Sequence, residues 1–344
     1  MDLSGSKVLS AAPGATGGGN VSHYAYNDTV FQWNGRWLTS ATGKWSAWPS
    51  SHLIFNVSGT LSFRVLLDLL DAYIDGVYHA RTILMWSIDG TPYEASSVLF
   101  TDYTSIFTGQ VYKEIALPDT GTHEVILQVM GDYDRQFAAT HQKVTIVGVQ
   151  VPSTASVSAT TKQGAVNLQI LGDSWMAAYN GASRLFDRSH FKVSCIAVPG
   201  QACNILTPKY LYDYSGSLNT TDPAFSAIVI IFGVNEEGSG WTLTQFKTEY
   251  LALIDTVRTK FPTTGIVMVG LPDKTWGTPR YFSKWVPVLQ EILTLRTNTY
   301  LCDASVLTPS LPQTHWLDIS HLNYLGKPIF VNFVNDYLRT TLGI

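Results

Sequence analysis

The stretch VNLQILGDSW, residues 166–175, is the part of the sequence from which the fold can be worked out. Its first part, 166–171, has the apolar character of a buried strand, and Gly172 permits a tight turn because it has no Cβ atom. Ser174 then stands at the carboxyl end of that strand, where the N-terminus of a following helix offers free N–H groups to a negative charge. The same Gly-Asp-Ser turn is also compatible with a simple helix cap, so this motif alone leaves the role of Ser174 open.

Strands and helices alternate through the remainder of the chain. Apolar runs predict strands at residues 192–197, 227–232, 266–269 and 300–301, and helical spacing predicts helices at 176–187, 244–260, 282–295 and 324–342. Alternation of this kind is typical of a parallel sheet covered by helices on both faces. Ligands of such sheets bind beyond the carboxyl ends of the strands, which is where Ser174 stands.

The first part of the chain has the pattern of an all-β domain, either a sandwich or a jelly roll. Short strands are predicted at residues 52–57, 61–67, 82–88, 111–117 and 123–129, with turn residues between them. We therefore expect a flexible leader at 1–20, a β-sandwich domain at 21–150, a Ser/Thr-rich linker at 151–164 and a strand–helix domain at 165–344. The leader has neither the basic nor the apolar region of a secretory signal.

The composition narrows the classes of function. Of the 344 residues, 45% are hydrophobic and 14% are charged, which is typical of a globular protein with a sizeable core. A formal net charge of -4 and the lack of a long basic run argue against nucleic-acid binding. No apolar stretch approaches the roughly 18 residues that a membrane-spanning helix requires.

The cysteines give little indication of cross-linking. Cys195, Cys203 and Cys302 are an odd number, which excludes a fully paired set within the chain. Free buried thiols are the favoured interpretation, although a disulfide between Cys195 and Cys203 stays open. Their spacing does not match a metal site, so no metal is expected.

A histidine suited to activate Ser174 follows late in the chain, in WLDISH, residues 316–321. A serine nucleophile needs a base, and the base needs a carboxylate that orients it. Because Asp318 and His321 are three residues apart, a turn can bring the carboxylate to Nδ1 and leave Nε2 facing the serine. A histidine that merely caps the following helix is the alternative.

Two further strand ends supply donors for a developing oxyanion. Gly200 follows the second predicted strand of the sheet, and Asn235 follows the strand AIVIIF, residues 227–232. The backbone N–H of Gly200 and the side-chain amide of Asn235 are suitable donors at the same edge as Ser174. Either segment alone is compatible with an ordinary turn, but four such motifs in this order favour an active site.

In this order the Gly-Asp-Ser, Gly, Gly-x-Asn and Asp-x-x-His motifs resemble the signature of the SGNH (GDSL-like) hydrolase superfamily over residues 166–344. The resemblance implies a three-layer α/β/α sandwich, flavodoxin-like, that hydrolyses esters through an acyl-enzyme. It assigns the nucleophile to Ser174, the base to His321, its orienting carboxylate to Asp318, and the oxyanion hole to Ser174, Gly200 and Asn235.

The chain departs from many relatives at two positions. Glu236 follows Asn235 where many have aspartate, and we expect little effect on the chemistry because that carboxylate has no assigned catalytic role. Trp175 directly follows the nucleophile and alters the local shape expected of the acyl pocket.

Segments of the first half are similar to the β-sandwich that precedes the SGNH domain in carbohydrate esterase family 2, whose members remove acetyl groups from polysaccharides. These segments are residues 35–37, 48–49, 55–60, 87–90 and 121–125. The resemblance implies an acetylesterase that acts on an O-acetylated poly- or oligosaccharide without metal or cofactor. Trp175, Trp276 and Trp316 are candidates for the wall of a sugar site, or else packing aromatics.

Two other functions stay open at this point. One is a lipase-like or thioesterase SGNH hydrolase with a long acyl pocket. The other is a carbohydrate-binding or virion adhesion module with a vestigial esterase site. The expected location is outside the cell or at a cell surface, including as a virion component, and the oligomeric state is open.

Overall fold

The computed structural model describes residues 20–46, 51–70, 73–74, 77–78, 84–90, 97–98, 109–129, 143–161, 164–176, 190–197, 200–208, 210 and 222–344. They form two compact units, one made of the described residues up to Thr161 and the other of those from Gly164 onward. Of the predicted leader only Asn20 is described, and of the predicted helix at 176–187 only Met176.

The first unit is built from two antiparallel sheets, as the sequence predicts. In spatial order the first sheet contains β11 (Gly109–Ala116), β6 (Ser62–Leu70), β13 (Lys143–Pro152), β4 (Lys44–Ser46) and β3 (Leu38–Thr39), and β1 (Val21–Ala25) also pairs with β13. The second contains β10 (Ser97–Val98), β9 (Leu84–Ile88), β12 (His123–Val129), β5 (His52–Ser58) and β14 (Ser156–Ser158), and β2 (Gln32–Asn34) pairs with β5. A separate hairpin joins β7 (Tyr73–Ile74) and β8 (Val77–Tyr78).

An apolar core fills the first unit, because alternate residues of its long strands are apolar. Phe55 and Val57 of β5 and Val65 and Leu67 of β6 are fully buried in one cluster. Strands of both sheets thus contribute to one apolar cluster, which is the arrangement of a β-sandwich.

The segment 151–164, expected to be a linker, is folded into the first unit over much of its length. Residues up to Pro152 belong to β13, and Ser156–Ser158 form β14 at the edge of the second sheet. The side chains of Ala155 and Val157 are 8% and 5% exposed, so the segment contributes to the core. Its Ser/Thr composition conceals this role because an edge strand can expose two of its three residues to water.

The second unit contains one parallel sheet. Its spatial order is β16 (Phe191–Ala197), β15 (Val166–Gly172), β17 (Ala227–Ile231), β18 (Gly265–Gly270) and β19 (Thr299–Asp303). The first strand of the unit therefore lies between the second and the third, which is the flavodoxin-like order.

Helices cover both faces of this sheet. They are α1 (Cys203–Leu206), α2 (Val234–Gly238), α3 (Leu243–Lys260), α4 (Val286–Leu295) and α5 (Gly326–Thr341). Phe330 and Val334 of α5 pack in one apolar cluster with one set of strand residues. Phe246 and Leu253 of α3 pack in a second cluster with the alternate set, so the predicted three-layer α/β/α sandwich is confirmed.

Local sequence features set the helix ends. The hydroxyl of Thr242 accepts a hydrogen bond from the N–H of Gln245 at 3.1 Å, and α3 therefore begins at Leu243. Pro287 lies in the first turn of α4, where its missing N–H leaves no helical bond unmade, and the preceding Phe282–Trp285 is a 3-10 helix. The single helix predicted at 282–295 is thus a 3-10 turn followed by an α-helix.

The three cysteines are free and buried, which agrees with the favoured interpretation. In the described ranges, no helix has the length and apolar character needed to cross a membrane.

A histidine held between two carboxylates joins two turns of the first unit. His123 Nδ1 lies 2.6 Å from Asp89 Oδ2, and Nε2 lies 3.1 Å from Asp119 Oδ1. The hydrogen bond to Asp89 is the main cause that raises the pKa of His123; burial opposes it, and Asp119 adds to it. The protonated ring satisfies both carboxylates at once, because only then are both ring nitrogens donors.

We predict that the thermal stability of the first unit falls as the pH rises above about 6.5, the unfolded pKa of histidine. A raised pKa means that the stabilisation by His123 is complete below the unfolded value of about 6.5 and is lost as the pH passes the folded value. His123→Gln should remove most of this dependence, because glutamine does not titrate. Melting curves at several pH values test it, and an equal slope for wild type and variant would contradict the assignment.

Candidate active site

Three loops of the second unit meet at one edge of the sheet. Ser174 follows β15, Gly200 follows β16, and Asn235 lies in α2 directly after β17. Because β15 pairs in parallel with both neighbours, the carboxyl ends of the three strands are side by side. The sheet thus brings together the residues that the sequence places at its rim.

The turn that presents Ser174 depends on Gly172 and Asp173. A Cβ atom at Gly172 would lie 2.8 Å from Met176 Cγ and 3.0 Å from Ile231 O, so a larger residue does not fit here. Asp173 Oδ1 accepts the N–H of Trp175 at 2.9 Å and shapes the turn on its other side. Burial, and after it the charge of Glu236, raises the pKa of Asp173 well above its ordinary value.

Ser174, His321 and Asp318 form a continuous line of hydrogen bonds. Ser174 Oγ lies 2.7 Å from His321 Nε2. His321 Nδ1 lies 2.8 Å from Asp318 Oδ2 and 3.0 Å from Asp318 Oδ1. This is the order of nucleophile, base and orienting carboxylate that covalent catalysis by serine requires.

Asp318 is held in its ionised form. Its partial burial would raise the pKa, but the N–H of Ser320 and the imidazole of His321 donate to the carboxylate and outweigh burial, so the pKa of Asp318 lies below its ordinary value. The side chain of Asp318 is 44% exposed and that of His321 is 18% exposed. The ionised carboxylate accepts the hydrogen bond from Nδ1 and so orients the imidazole of His321.

The loop that carries His321 is closed by its own backbone. The N–H of Leu317 donates to the carbonyl of His321 at 2.7 Å, and Trp316 forms an isolated antiparallel bridge with Leu322. The amide of Asn323 donates to Thr314 O at 2.7 Å, which fixes the far end of the loop.

Asn323 also connects this loop to α5. Its Oδ1 accepts the N–H of Leu325 at 2.8 Å and that of Gly326 at 3.3 Å, where the helix begins. Asn323 is not among the residues that the sequence motifs indicated. An asparagine just ahead of a helix is a recognisable capping signal, and it could have been found in that way.

Two of the three tryptophans proposed as sugar contacts are core residues. Trp175 is 4% exposed and Trp316 is 5% exposed. Their rings pack edge to face at 6.2 Å, and Trp175 packs likewise against Phe330 at 5.3 Å. Neither has a ring face left for a sugar, which corrects the expectation for these two residues.

Trp175 instead connects the two halves of the candidate site. Its Nε1 donates to the carbonyl of Ser320 at 2.8 Å. The residue after Ser174 is therefore bonded to the residue before His321, and this bond holds the hydroxyl and the imidazole in register.

Trp276, the third of these tryptophans, is only partly buried. It lies in a short hairpin after β18, closed by paired backbone bonds between Lys274 and Arg280. The ammonium of Lys274 lies 4.0 Å from its ring centroid and donates to Trp276 O and Thr278 O. Trp276 stays a candidate for contact with a sugar.

The predicted oxyanion donors lie around the same edge. Gly200 is exposed, with a φ of 70° that favours glycine, and the N–H groups of Gly200 and Ser174 meet no acceptor within the described part of the chain. Asn235 Nδ2 lies 3.2 Å from Asp173 Oδ2 and 2.9 Å from Gln201 O. The Asn235 amide therefore already has two acceptors, Asp173, which directly precedes Ser174, and Gln201, which directly follows Gly200.

The fold is also found in solved structures, although the sequence matches no protein-family model and no curated protein sequence. A family two carbohydrate esterase from Clostridium thermocellum in complex with cellohexaose is 16% identical, with 91% of this chain and 99% of that chain covered and a TM-score of 0.68. A family two carbohydrate esterase from Cellvibrio japonicus is 15% identical, with coverages of 94% and 98% and a TM-score of 0.66.

The acetyl xylan esterase Est2A from Butyrivibrio proteoclasticus is 10% identical, with 94% of this chain and 99% of that chain covered and a TM-score of 0.66. The resemblance to SGNH hydrolases and to carbohydrate esterase family 2 is thus confirmed at the level of the fold. The chain has a β-sandwich followed by an α/β/α unit with Ser174, His321 and Asp318 in hydrogen-bond contact at the edge of its sheet.

Proposed function

We propose that this chain is a serine esterase that removes acetyl groups from an O-acetylated carbohydrate through a covalent acyl-enzyme. The observation that carries the proposal is the line of hydrogen bonds from Ser174 through His321 to Asp318. A vestigial site has no reason to keep all three groups at these distances. The adhesion-module alternative is therefore disfavoured.

The first half of the reaction forms the acyl-enzyme. His321 Nε2 takes the proton of Ser174 Oγ as this oxygen attacks the acetyl carbonyl. The ionised Asp318 stabilises the imidazolium that results. When the tetrahedral intermediate collapses, the bond between the acetyl carbon and the sugar oxygen breaks, and His321 gives its proton to this oxygen, so that the sugar leaves as an alcohol.

The second half releases acetate. His321, neutral again, takes a proton from a water molecule that attacks the acetyl-serine carbonyl. The bond to Ser174 Oγ then breaks, and the proton returns to the serine. No metal or cofactor takes part in this scheme.

Three donors are proposed for the oxyanion: the N–H groups of Ser174 and Gly200 and the amide of Asn235. The bond from Asn235 to Asp173 is the longer of its two at 3.2 Å. We infer that a developing oxyanion displaces this bond while Gln201 keeps hold of the other amide hydrogen. The amide would then act only when charge develops on the substrate, as catalysis of the chemical step requires.

The carbohydrate assignment is supported by the solved structures with this fold, one of which holds cellohexaose. Exposed apolar side chains beside His321 also suit a sugar: Tyr324 is 76% exposed and Leu317 is 55% exposed. Aromatic rings commonly line sites where one face of a ligand is apolar. A glycan polymer as substrate would place the enzyme outside the cell or at a cell or virion surface.

We predict that the purified protein releases acetate from at least one member of a panel of acetylated xylans, mannans, celluloses and pectins. On nitrophenyl esters its kcat/KM should fall as the acyl chain lengthens beyond acetate. The readouts are acetate release and steady-state kinetics, with Ser174→Ala as the matched blank. Faster cleavage of octanoate than of acetate would favour the lipase-like alternative, and no cleavage of any ester would refute the proposal.

Substitutions in the hydrogen-bonded line should differ in severity. We predict that Ser174→Ala and His321→Ala each lower kcat by on the order of a millionfold. Asp318→Asn should lower it by about ten-thousandfold, because the carboxylate orients the base and stabilises its charge without reacting. Full activity of Asp318→Asn would mean that Ser174 and His321 act as a dyad.

Asn235→Ala should separate oxyanion stabilisation from substrate binding. We predict a fall in kcat of roughly a hundred- to a thousandfold with little change in KM, because the amide acts mainly on the transition state. Steady-state kinetics and a melting curve on the same preparation provide the measurement. A destabilised protein with normal kcat would show that Asn235 only supports the turn after β17.

A further inference from the structure

A buried glutamate joins the two loops that carry the proposed oxyanion donors. Glu236 belongs to α2 and is fully buried, although it lies at the same edge of the sheet as Ser174. One loop, Gly200–Cys203, follows β16, and the other, Gly233–Glu236, follows β17. A fully buried carboxylate is costly unless its oxygens accept hydrogen bonds, so its partners indicate what it does.

Each carboxylate oxygen accepts a hydrogen bond from a different loop. Oε2 accepts the N–H of Gly233 at 2.9 Å and so closes the turn that contains Asn235. Oε1 accepts the N–H of Cys203 at 2.8 Å, which is the first residue of α1.

The same two loops share one further bond, from Asn235 Nδ2 to Gln201 O at 2.9 Å. Gln201 directly follows Gly200, so this bond holds the Asn235 amide next to a proposed backbone donor. The hydrogen bond from Asn235 to Gln201 can form only when the two loops are held at a fixed distance from each other. The contacts of Glu236 to Gly233 and Cys203 join the same two loops through one side chain.

The chemistry of the contacts requires glutamate at this position. Aspartate is shorter by one methylene group, about 1.5 Å, and cannot reach both loops at once. Glutamine has a single oxygen, so its NH2 group would face one of the two N–H donors. A buried N–H without an acceptor costs about 1–3 kcal/mol.

We propose that Glu236 is a positioning residue that fixes the distance between the loops of Gly200 and Asn235 and so holds the oxyanion donors in register with Ser174. This inference rests on the proposed esterase chemistry. It replaces the expectation that the change from aspartate at this position has little effect.

The first test compares Glu236→Gln and Glu236→Asp with Glu291→Gln as a matched control. Glu291 is an exposed glutamate of α4 that pairs with Lys247 of α3, far in sequence from both loops. On nitrophenyl acetate we expect kcat of the Glu236 variants to fall roughly ten- to a hundredfold with KM nearly unchanged. The control should retain the kinetic constants of the wild type.

A second readout does not depend on ester turnover. A fluorophosphonate probe forms a bond between Ser174 Oγ and phosphorus, fluoride leaves, and His321 takes the serine proton, while the phosphoryl oxygen occupies the oxyanion site. The labelling rate of the Glu236 variants should fall by about the same factor as kcat. If the wild type is labelled but cleaves no ester, the proposed function fails, and the labelling rates still decide the role of Glu236.

A third variant removes the hydrogen bond between Glu236 and Cys203 by changing its donor, Cys203, instead of Glu236. Cys203→Pro removes the N–H that Glu236 binds, and proline is well tolerated at the first position of a helix. Ala202 has φ -80° and ψ 166°, the extended conformation that a residue before proline prefers. This variant should therefore fold even if the Glu236 variants do not, and its kcat and labelling rate should fall in the same way. Folded variants whose labelling rate and kcat equal those of the wild type would overturn the proposal.

Discussion

Parallel strands that lie side by side end at the same edge of a sheet, and the positions of Ser174, Gly200 and Asn235 in the candidate site depend on this constraint. Because β15 lies between β16 and β17, the segments after all three strands are neighbours although they are far apart in the chain. The strands are buried on both faces, so their register cannot change without exposing apolar side chains. The edge is therefore a fixed platform on which short loops can hold polar groups at hydrogen-bond distances.

The histidine loop is not part of this platform and needs attachments of its own. This loop lies near the end of the sequence of the unit. The indole of Trp175 donates a hydrogen bond to one part of it, and the amide of Asn323 donates to another. Both attachments use backbone carbonyls as acceptors, which leaves the imidazole of His321 free to face Ser174. Trp175 and Asn323, which hold this loop, thus lie outside the line of hydrogen bonds from Ser174 through His321 to Asp318.

The sequence predicts the second unit well, because strands that are buried on both faces appear in it as apolar runs such as residues 227–232. A motif that follows such a strand must lie at the carboxyl edge of the sheet, so its position in the fold can also be predicted. It is less informative about β14, where Ser156 and Ser158 resemble a linker because only Val157 between them faces the core. Single-sequence patterns also do not say whether a tryptophan beside a motif points inward.

Trp175 illustrates this point. Its position after Ser174 suggests contact with substrate, yet its ring packs in the core. The role proposed for Glu236 could not be predicted from the sequence either, since the groups that it joins come together only in the folded sheet. In both cases the missing information is the direction of a side chain relative to loops that are distant in sequence.

The distance along the chain between Ser174 and His321 also bears on how the protein is made. The two residues are 147 positions apart, so at about 5–20 residues per second the ribosome needs roughly 7–30 s between them. In the proposed mechanism Ser174 has no base during that interval. Under the proposed mechanism, the growing chain would therefore lack esterase activity until the loop of His321 has been synthesised and has folded beside Ser174, so labelling of Ser174 would report that this unit has assembled.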